Sequence, residues 1–428
     1  MNLDDSANRA TTNSWRKTIV RKAVAAVSTF VLACFLGPIS ILIAVGETKP
    51  GRIFGLLAAT TFVFCVIVAF ILVRREPPRK SLIVAASLLA IVAVGEIAAI
   101  RSLRRRVKDN DAQFGLHSIF LSPINGKSVR YTEYVPEIDQ LKLTATFITG
   151  VPIVSRARAN RIRSVVLELT RSIENDPTAR DLGSVAGLAA AELFDRPFDR
   201  GHYYAYVPQS EPGETLPAIV FLHGNAGNYK IMPWVWRTFA EKNRYIIICP
   251  TFGFGFWNEG GTEAVERARI DACARFAIDV NRIYLGGISD GGKGTTRSAA
   301  AHPENYRGLI YISPTMLLNE LSAPAFVAAW KDRPIFIAQG DADWNVPKKT
   351  VDPAVELLKR QGSRTTYDVY PGEDHFLFFA RRDVLLETIH RWIDANERER
   401  IAPIDRESAP RGRTDSIGTT VDHRFHKQ

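Results

Sequence analysis

From about residue 200, short apolar runs alternate along the chain with stretches of helical periodicity. The predicted strands are rich in Val, Ile and Leu and cover residues 203–207, 218–222, 245–249, 283–285, 309–312, 335–338 and 366–370. Helical patterns cover residues 263–276, 293–301, 355–361 and 384–395. Apolar strands that alternate with helices predict a mostly parallel sheet covered on both faces. We therefore predict a doubly wound α/β domain over residues 200–396, with functional groups at the carboxyl ends of its strands.

The first hundred residues have a different pattern, made of three long apolar runs. Residues 23–45 and 53–73 carry no charged side chain, and residues 82–100 carry only Glu96. About 20 apolar residues suffice for one membrane crossing, so each run is long enough. A cleaved signal peptide is the alternative for the first run, because basic residues precede it. Since two more runs follow directly, we predict three transmembrane helices over residues 23–100, with the lipid bilayer as a partner.

The charge distribution agrees with a membrane anchor. The net charge is +10, and residues 1–110 hold 16 Lys and Arg against 6 Asp and Glu, which leaves 39 of each in the other 318 residues. Positive charge beside apolar runs is typical of membrane flanks and does not support nucleic-acid binding. The basic residues divide almost equally between the two sides. The dominance of the first helix favours an extracytoplasmic catalytic domain, whereas Arg104, Arg105 and Arg106 favour the opposite orientation.

The remaining segments carry little chemistry. We predict a basic segment over residues 1–22, a juxtamembrane spacer over 101–199 and a polar, disordered tail over 397–428. The spacer has a strand-like pattern over 141–148 and helical patterns over 162–173 and 181–193, which the sequence Asn175-Asp176-Pro177 separates. Four Cys in 428 residues exclude a disulfide-built scaffold. No motif predicts a metal or a cofactor.

The reactive side chains follow predicted strands in a suggestive order. The run Gly287-Ile288-Ser289-Asp290-Gly291 follows the strand at 283–285 and precedes a helix. Gly-x-Ser-x-Gly between a strand and a helix is the nucleophile-elbow pattern, whose tight turn strains the serine backbone and exposes its hydroxyl. The next strand ends in Gly340-Asp341-Ala342-Asp343, and the following one leads to His375. Nucleophile, acid and base in this order, each beyond a strand, are far more specific than a single motif.

Over residues 200–396 the sequence resembles the α/β-hydrolase family. The acid segment Gly340-x-x-Asp343-x-x-Val346-Pro347 matches the usual acid loop of that family, which favours Asp343 over Asp341 as the acid. The resemblance implies a Ser289–His375–Asp343 triad. It also implies an oxyanion hole formed by the backbone N–H groups of Asn225 and Asp290.

Several residues near these motifs have alternative roles. His223, at a strand end, is expected to brace the loop rather than to act as a base, and Asp341 is expected to cap its turn. Asp374 is expected to be a solvated neighbour of His375. The aromatic residues Phe254, Phe256 and Trp257 form either a substrate pocket or part of the core.

The predicted function is that of a membrane-anchored serine hydrolase that cleaves carboxylic esters through an acyl-enzyme. Only 54 residues separate Ser289 from Asp343, and 32 separate Asp343 from His375, which leaves no room for a large inserted lid. The compact arrangement resembles the esterase and polymer-depolymerase branch and predicts a small-molecule or polymer ester. A peptidase of the prolyl-oligopeptidase type and a non-catalytic binding module remain alternatives. The acyl group, the alcohol and the oligomeric state stay open.

Overall fold

The protein's structure is a computed structural model. It describes residues 40, 43–73, 113–121, 136–142, 156–182 and 201–398 except 226, 228 and 229, together with isolated positions between 83 and 98. The strands of the described residues are β1 (Gly115–Phe120), β2 (His202–Val207), β3 (Leu216–Leu222), β4 (Ile246–Pro250), β5 (Ile278–Ile288), β6 (Leu309–Ile312), β7 (Pro334–Gly340) and β8 (Arg364–Tyr370). They form one eight-stranded sheet in the order β1-β2-β4-β3-β5-β6-β7-β8.

The sheet is mixed, with a large parallel part. The pairs β3–β4, β3–β5, β5–β6, β6–β7 and β7–β8 are parallel, whereas β1–β2 and β2–β4 are antiparallel. Strands β3, β4, β6 and β7 and the second half of β5 are buried along their length because both of their faces are covered. This agrees with the mostly parallel α/β sheet that the sequence predicts. Each predicted strand lies inside an observed strand, except that the strand predicted over 245–249 begins one residue before β4.

Helices cover both faces of the sheet. The main helices of the described residues are α1 (Lys49–Val73), α2 (Arg156–Asn175), α3 (Pro177–Asp181), α4 (Ile231–Asn243), α5 (Gly261–Arg275), α6 (Gly291–Ala301), α7 (Leu318–Leu321), α8 (Pro324–Trp330), α9 (Lys348–Arg360), α10 (Leu377–Ala380) and α11 (Arg382–Arg398). Alternate side chains of β3 enter different cores: Ile219 and Phe221 pack with α4 and α11, and Val220 and Leu222 pack with α5, α6 and α9. This alternation is the two-residue period of a strand.

Part of the predicted spacer joins the sheet. Strand β1, which the sequence analysis does not predict, pairs with β2 at its edge. The helical pattern over 162–173 lies within α2, and Asp176 accepts a hydrogen bond from the Ala179 N–H at the start of α3. The strand predicted over 141–148 is wrong at its start, because residues 137–142 are helical. Residues 143–155 and 183–200 lie outside the described residues, as does the tail from 399.

The predicted membrane anchor is wrong. Among the residues that the structure describes, no helix combines enough length with enough apolar character to cross a membrane. The predicted span 53–73 lies in α1, whereas most of 23–45 and about half of 82–100 fall outside the described residues. The residues just before α1 are bound to a distant part of the chain, since Asp139 accepts a 2.7 Å hydrogen bond from the Glu47 N–H. The predicted multi-pass location, the extracytoplasmic catalytic domain and the bilayer partner are overturned with the anchor.

Candidate active site

Ser289 lies on a sharp turn between β5 and α6. Its φ of 54° is in the left-handed region, which is costly for a residue with a side chain. The turn is closed by hydrogen bonds from the N–H groups of Gly292 and Thr315 to the Ser289 carbonyl, both at 2.9 Å. A Cβ on Gly291 would lie 2.4 Å from the Leu222 carbonyl oxygen, so only glycine fits there. The strand, the strained turn and the helix N-terminus together have the form of a nucleophile elbow.

The structure brings Ser289, His375 and Asp343 into one hydrogen-bonded chain. The Ser289 Oγ lies 3.0 Å from His375 Nε2, and His375 Nδ1 lies 2.9 Å from Asp343 Oδ2. An ionised carboxylate only accepts hydrogen bonds, so Nδ1 carries the proton and Nε2 can accept the one from Ser289. The Asp343 side chain is fully buried and that of His375 is 12% exposed.

The acid loop, residues 341–347, fixes the Asp343 carboxylate. Its Oδ1 accepts hydrogen bonds from the N–H groups of Asn345 at 2.9 Å and Val346 at 2.8 Å. The buried Gln339 side chain donates to Oδ2 at 3.3 Å and to the Val346 carbonyl at 2.9 Å. Gln339 thus ties two residues of the acid loop together from the end of β7. No sequence motif indicates this contribution. These contacts leave Oδ2 aimed at the imidazole.

The base loop, residues 371–376, carries His375 and is bound to the acid loop. The Asp341 Oδ1 accepts a 2.7 Å hydrogen bond from the Gly372 N–H of the base loop, so Asp341 links the two loops, which differs from the expected capping of its own turn. Asp374 differs from the expectation of a solvated neighbour: it is buried and forms an ion pair with Arg158 at 3.0 Å. Arg158 is 216 residues away along the chain, so no local pattern could have indicated this contact.

The loop after β3, which we call the oxyanion loop after the role predicted for it, contains the described residues 223–225 and 227 and lies against Ser289. A Cβ placed on Gly224 would lie 2.9 Å from the Ser289 Cβ, which shows how closely the loop approaches the serine side chain. His223 braces this loop with backbone partners, since Nδ1 lies 2.8 Å from the Gly224 carbonyl and Nε2 lies 3.1 Å from the Phe252 N–H that donates to it. Burial lowers the pKa of His223 to about 4, so the ring is neutral near pH 7. Asn225 and Asp290 directly follow Gly224 and Ser289 in the sequence.

The predicted pocket aromatics separate into two environments. Trp257 is fully buried, stacks on Phe252 at a centroid distance of 5.4 Å and donates from Nε1 to the His223 carbonyl. These contacts favour the core alternative for Trp257. Phe254 and Phe256 contact each other at 5.3 Å, and Phe256 is 38% exposed. The pocket role therefore remains a prediction for Phe254 and Phe256.

Sequence comparison extends this picture to known proteins. Residues 263–392, which contain all three members of the hydrogen-bonded chain, match a family model described as phospholipase/carboxylesterase. The acyl-protein thioesterase 1 of Neurospora crassa is 32% identical over 131 residues, which cover 28% of this chain and 52% of that protein. The two matches support an α/β-hydrolase ester hydrolase. This agrees with the enzyme class predicted from the sequence, although the chain spans only about half the length of the thioesterase.

Solved structures with a similar arrangement include several esterases. A thermostable esterase is 22% identical, with a TM-score of 0.38, and the match covers 45% of this chain and 58% of that one. Esterase 2 of Thermogutta terrifontis is 18% identical, with a TM-score of 0.37 over 47% of this chain and 91% of the esterase. The Pyrobaculum calidifontis esterase is 16% identical, with a TM-score of 0.37 over 45% and 80% of the two chains. Scores this low have no bearing on function.

Proposed function

We propose that the protein is a serine hydrolase that cleaves carboxylic esters through an acyl-enzyme. Ser289 is the nucleophile, His375 the general acid–base and Asp343 the residue that orients His375. The observation that carries the proposal is the unbroken hydrogen-bonded chain, with 3.0 Å between Ser289 Oγ and His375 Nε2 and 2.9 Å between His375 Nδ1 and Asp343 Oδ2. Such a chain is needed because a free serine hydroxyl is a poor nucleophile.

The reaction has two halves with the same proton carrier. Ser289 Oγ attacks the ester carbonyl carbon while His375 Nε2 takes its proton, and the protonated ring then gives that proton to the leaving alcohol. Water next attacks the acyl-enzyme, again with His375 as base, and the acid leaves as Ser289 recovers its proton. Throughout, Asp343 stabilises the transient imidazolium without taking up the proton.

The negative oxygen of each tetrahedral intermediate needs hydrogen-bond donors. The backbone N–H groups of Asn225 and Asp290 are proposed for this role because Asn225 follows Gly224 and Asp290 follows Ser289. Gly224 and Ser289 lie close to each other in the structure. Asp290 also lies at the N-terminus of α6, where the helix dipole favours negative charge. The loss of one such donor typically costs about 10²–10³-fold in kcat.

A thioester is the second candidate substrate. The curated relative is an acyl-protein thioesterase, and the same triad chemistry cleaves a thioester with a thiolate in place of the alcohol as leaving group.

Hydrolysis of a substrate panel tests the proposal. The panel contains p-nitrophenyl esters of graded acyl length, S-acyl thioesters of a small thiol and aminoacyl p-nitroanilides. We expect the wild-type protein to cleave esters or thioesters, and Ser289→Ala to lose at least about 10⁴-fold in kcat. Ser298→Ala is the matched control, because its buried hydroxyl on α6 has no hydrogen-bond partner among the described residues. Cleavage of the anilides alone would identify a peptidase, and a wild type inactive on the whole panel would contradict the proposal.

A further inference from the structure

Helix α2 reaches the base loop through Arg158. Its Nε lies 3.0 Å from the Asp374 Oδ2, and its Nη2 donates to the Gly372 carbonyl at 3.2 Å. The Asp374 side chain is 8% exposed and that of Arg158 33% exposed. Ion pairs in full contact with water contribute little, but this carboxylate is largely shielded and would lack its charged partner if Arg158 were removed.

The Asp374 carboxylate links the residues on either side of His375. Its Oδ2 faces Arg158, while its Oδ1 accepts a 2.9 Å hydrogen bond from the Phe376 N–H. The Asp374 carbonyl also accepts from the Leu377 N–H at 3.0 Å, which starts α10. The backbone of His375 is therefore held in a turn that Asp374 closes. A shift of the carboxylate would change the direction in which the imidazole points.

An apolar contact connects the same helix with the acid loop. Ala159 and Ile162 of α2 are buried and pack with Trp344 and Phe376. Trp344 directly follows Asp343, and Phe376 directly follows His375. Helix α2 thus contacts the residue after Asp343 and the residue after His375. The relative position of Asp343 and His375 determines the orientation of the imidazole.

A second arginine of α2 makes a weaker contact. Arg161 lies 3.4 Å from Glu373 Oε1 with half of its side chain exposed, and Arg381 shares that carboxylate at 3.6 Å. Because Glu373 keeps Arg381 if Arg161 is lost, this pair is partly redundant. Asp374 has no such second arginine among the ion pairs of the described residues. Arg158 is accordingly the residue through which α2 acts on the base loop.

We propose that Arg158 is a positioning residue for catalysis, which holds His375 in hydrogen-bond register with Ser289 through the Asp374 carboxylate. The inference rests on the proposed function. It means that α2, which lies outside the matched residues 263–392, belongs to the functional unit. Catalysis is sensitive to such support, since a displacement of about 1 Å can cost about 10²-fold in rate.

Kinetics of single and double variants test the inference. The variants are Arg158→Ala, Asp374→Asn, their combination and Arg158→Lys, with Arg163→Ala as the matched control on the same helix, where the described residues provide no ion pair. We expect Arg158→Ala and Asp374→Asn each to lower kcat by about 10- to 100-fold with little change in KM. The double variant should be no slower than Arg158→Ala alone, because that variant already removes both the ion pair with Asp374 and the contact with the Gly372 carbonyl. Arg158→Lys should restore part of the rate, since it keeps the charge and loses the second donor.

Hydrogen exchange of the base loop separates this inference from the proposed function. In Arg158→Ala the amides of residues 372–377 should exchange faster than in the wild type, and in Arg163→Ala they should not, whether or not a substrate has been found. A folded Arg158→Ala whose kcat and base-loop exchange both match the wild type would overturn the inference. If Arg158→Ala fails to fold, Arg158→Lys and Asp374→Asn decide by the same two readouts. A wild type that hydrolyses nothing contradicts the proposed function but leaves the exchange result to decide this one.

Discussion

The base loop and the oxyanion loop each carry a histidine beyond the end of a strand, yet the two rings have different surroundings. His375 contacts two side chains, Ser289 at 3.0 Å and Asp343 at 2.9 Å, and remains 12% exposed. His223 is 2% exposed, and both of its ring nitrogens face backbone groups, those of Gly224 and Phe252. A ring between a hydroxyl and a carboxylate can move a proton, whereas a ring between backbone groups can only hold a loop in place.

The difference shows why residue type alone does not assign a role. Burial lowers the pKa of His223 to about 4, so this ring stays neutral and cannot serve as a proton carrier near pH 7. Its Nε2 accepts the Phe252 N–H, and its carbonyl accepts the Trp257 Nε1–H. His223 therefore organises the chain behind Ser289, whereas His375 faces the Ser289 hydroxyl.

Replacement of each histidine by glutamine is the strongest way to break this comparison. We expect His375→Gln to lower kcat by at least about 10³-fold, because the general acid–base is lost. We expect His223→Gln to lower kcat by about 10-fold or less and to lower the melting temperature, since a buried N–H without its acceptor costs about 1–3 kcal/mol. Steady-state kinetics and thermal unfolding of the two purified variants give both numbers. Equal losses of kcat in two folded variants would remove the distinction between the loops.

The stability of the protein at acid pH provides a second, smaller test of the difference between His223 and His375. The folded-state pKa of His223 is about 4, below the ordinary value of 6.5, so the unfolded chain binds the extra proton first. The contribution of neutral His223 to the stability of the folded state is therefore fully present above about pH 6.5 and is lost as the pH falls towards 4. We expect the free energy of unfolding of the wild type to decrease over this window by about 3 kcal/mol more than that of His223→Gln.

Other buried groups also change the free energy of unfolding with pH. The quantity to measure is therefore the difference in that free energy between the wild type and His223→Gln. Burial lowers the pKa of His202 to about 3, which adds a slope of the same sign. Burial raises the pKa of Glu137 to about 7, so its contribution is lost as the pH rises from about 4.5 to 7 and has the opposite sign. Both contributions cancel when urea unfolding of the wild type and of His223→Gln is compared at each pH. Parallel pH curves for the two proteins would show that His223 does not titrate with unfolding.

Much of the α/β part could be predicted from the sequence because its signals are local. Buried parallel strands need runs of Val, Ile and Leu, and β5, β6 and β7 have them. Strand β1 was missed because Gly115–Phe120 includes His117 and Ser118, and its place depends on pairing with β2. The membrane prediction failed because apolar length and flanking charge are both local signals, whereas the hydrogen bond from the Glu47 N–H to Asp139 joins positions 92 residues apart.

The candidate site divides in the same way. Ser289, Asp343 and His375 each lie in a short pattern that follows a strand, so their order could be identified from the sequence. The support given by Gln339 and Arg158 could not, because each depends on a side chain that meets a loop only after folding. Asp374 was misjudged for this reason: its partner lies on α2, far away in the sequence.

Labelling with a fluorophosphonate tests the central claim most directly. The probe reacts with a serine that an adjacent base activates, so its rate reports the Ser289–His375 contact without any assumption about the substrate. We predict that wild-type protein takes up one probe, that peptide mass spectrometry places it on Ser289, and that Ser289→Ala and His375→Gln remain unlabelled. Uptake by Ser289→Ala, or a folded wild type that stays unmodified, would contradict the account.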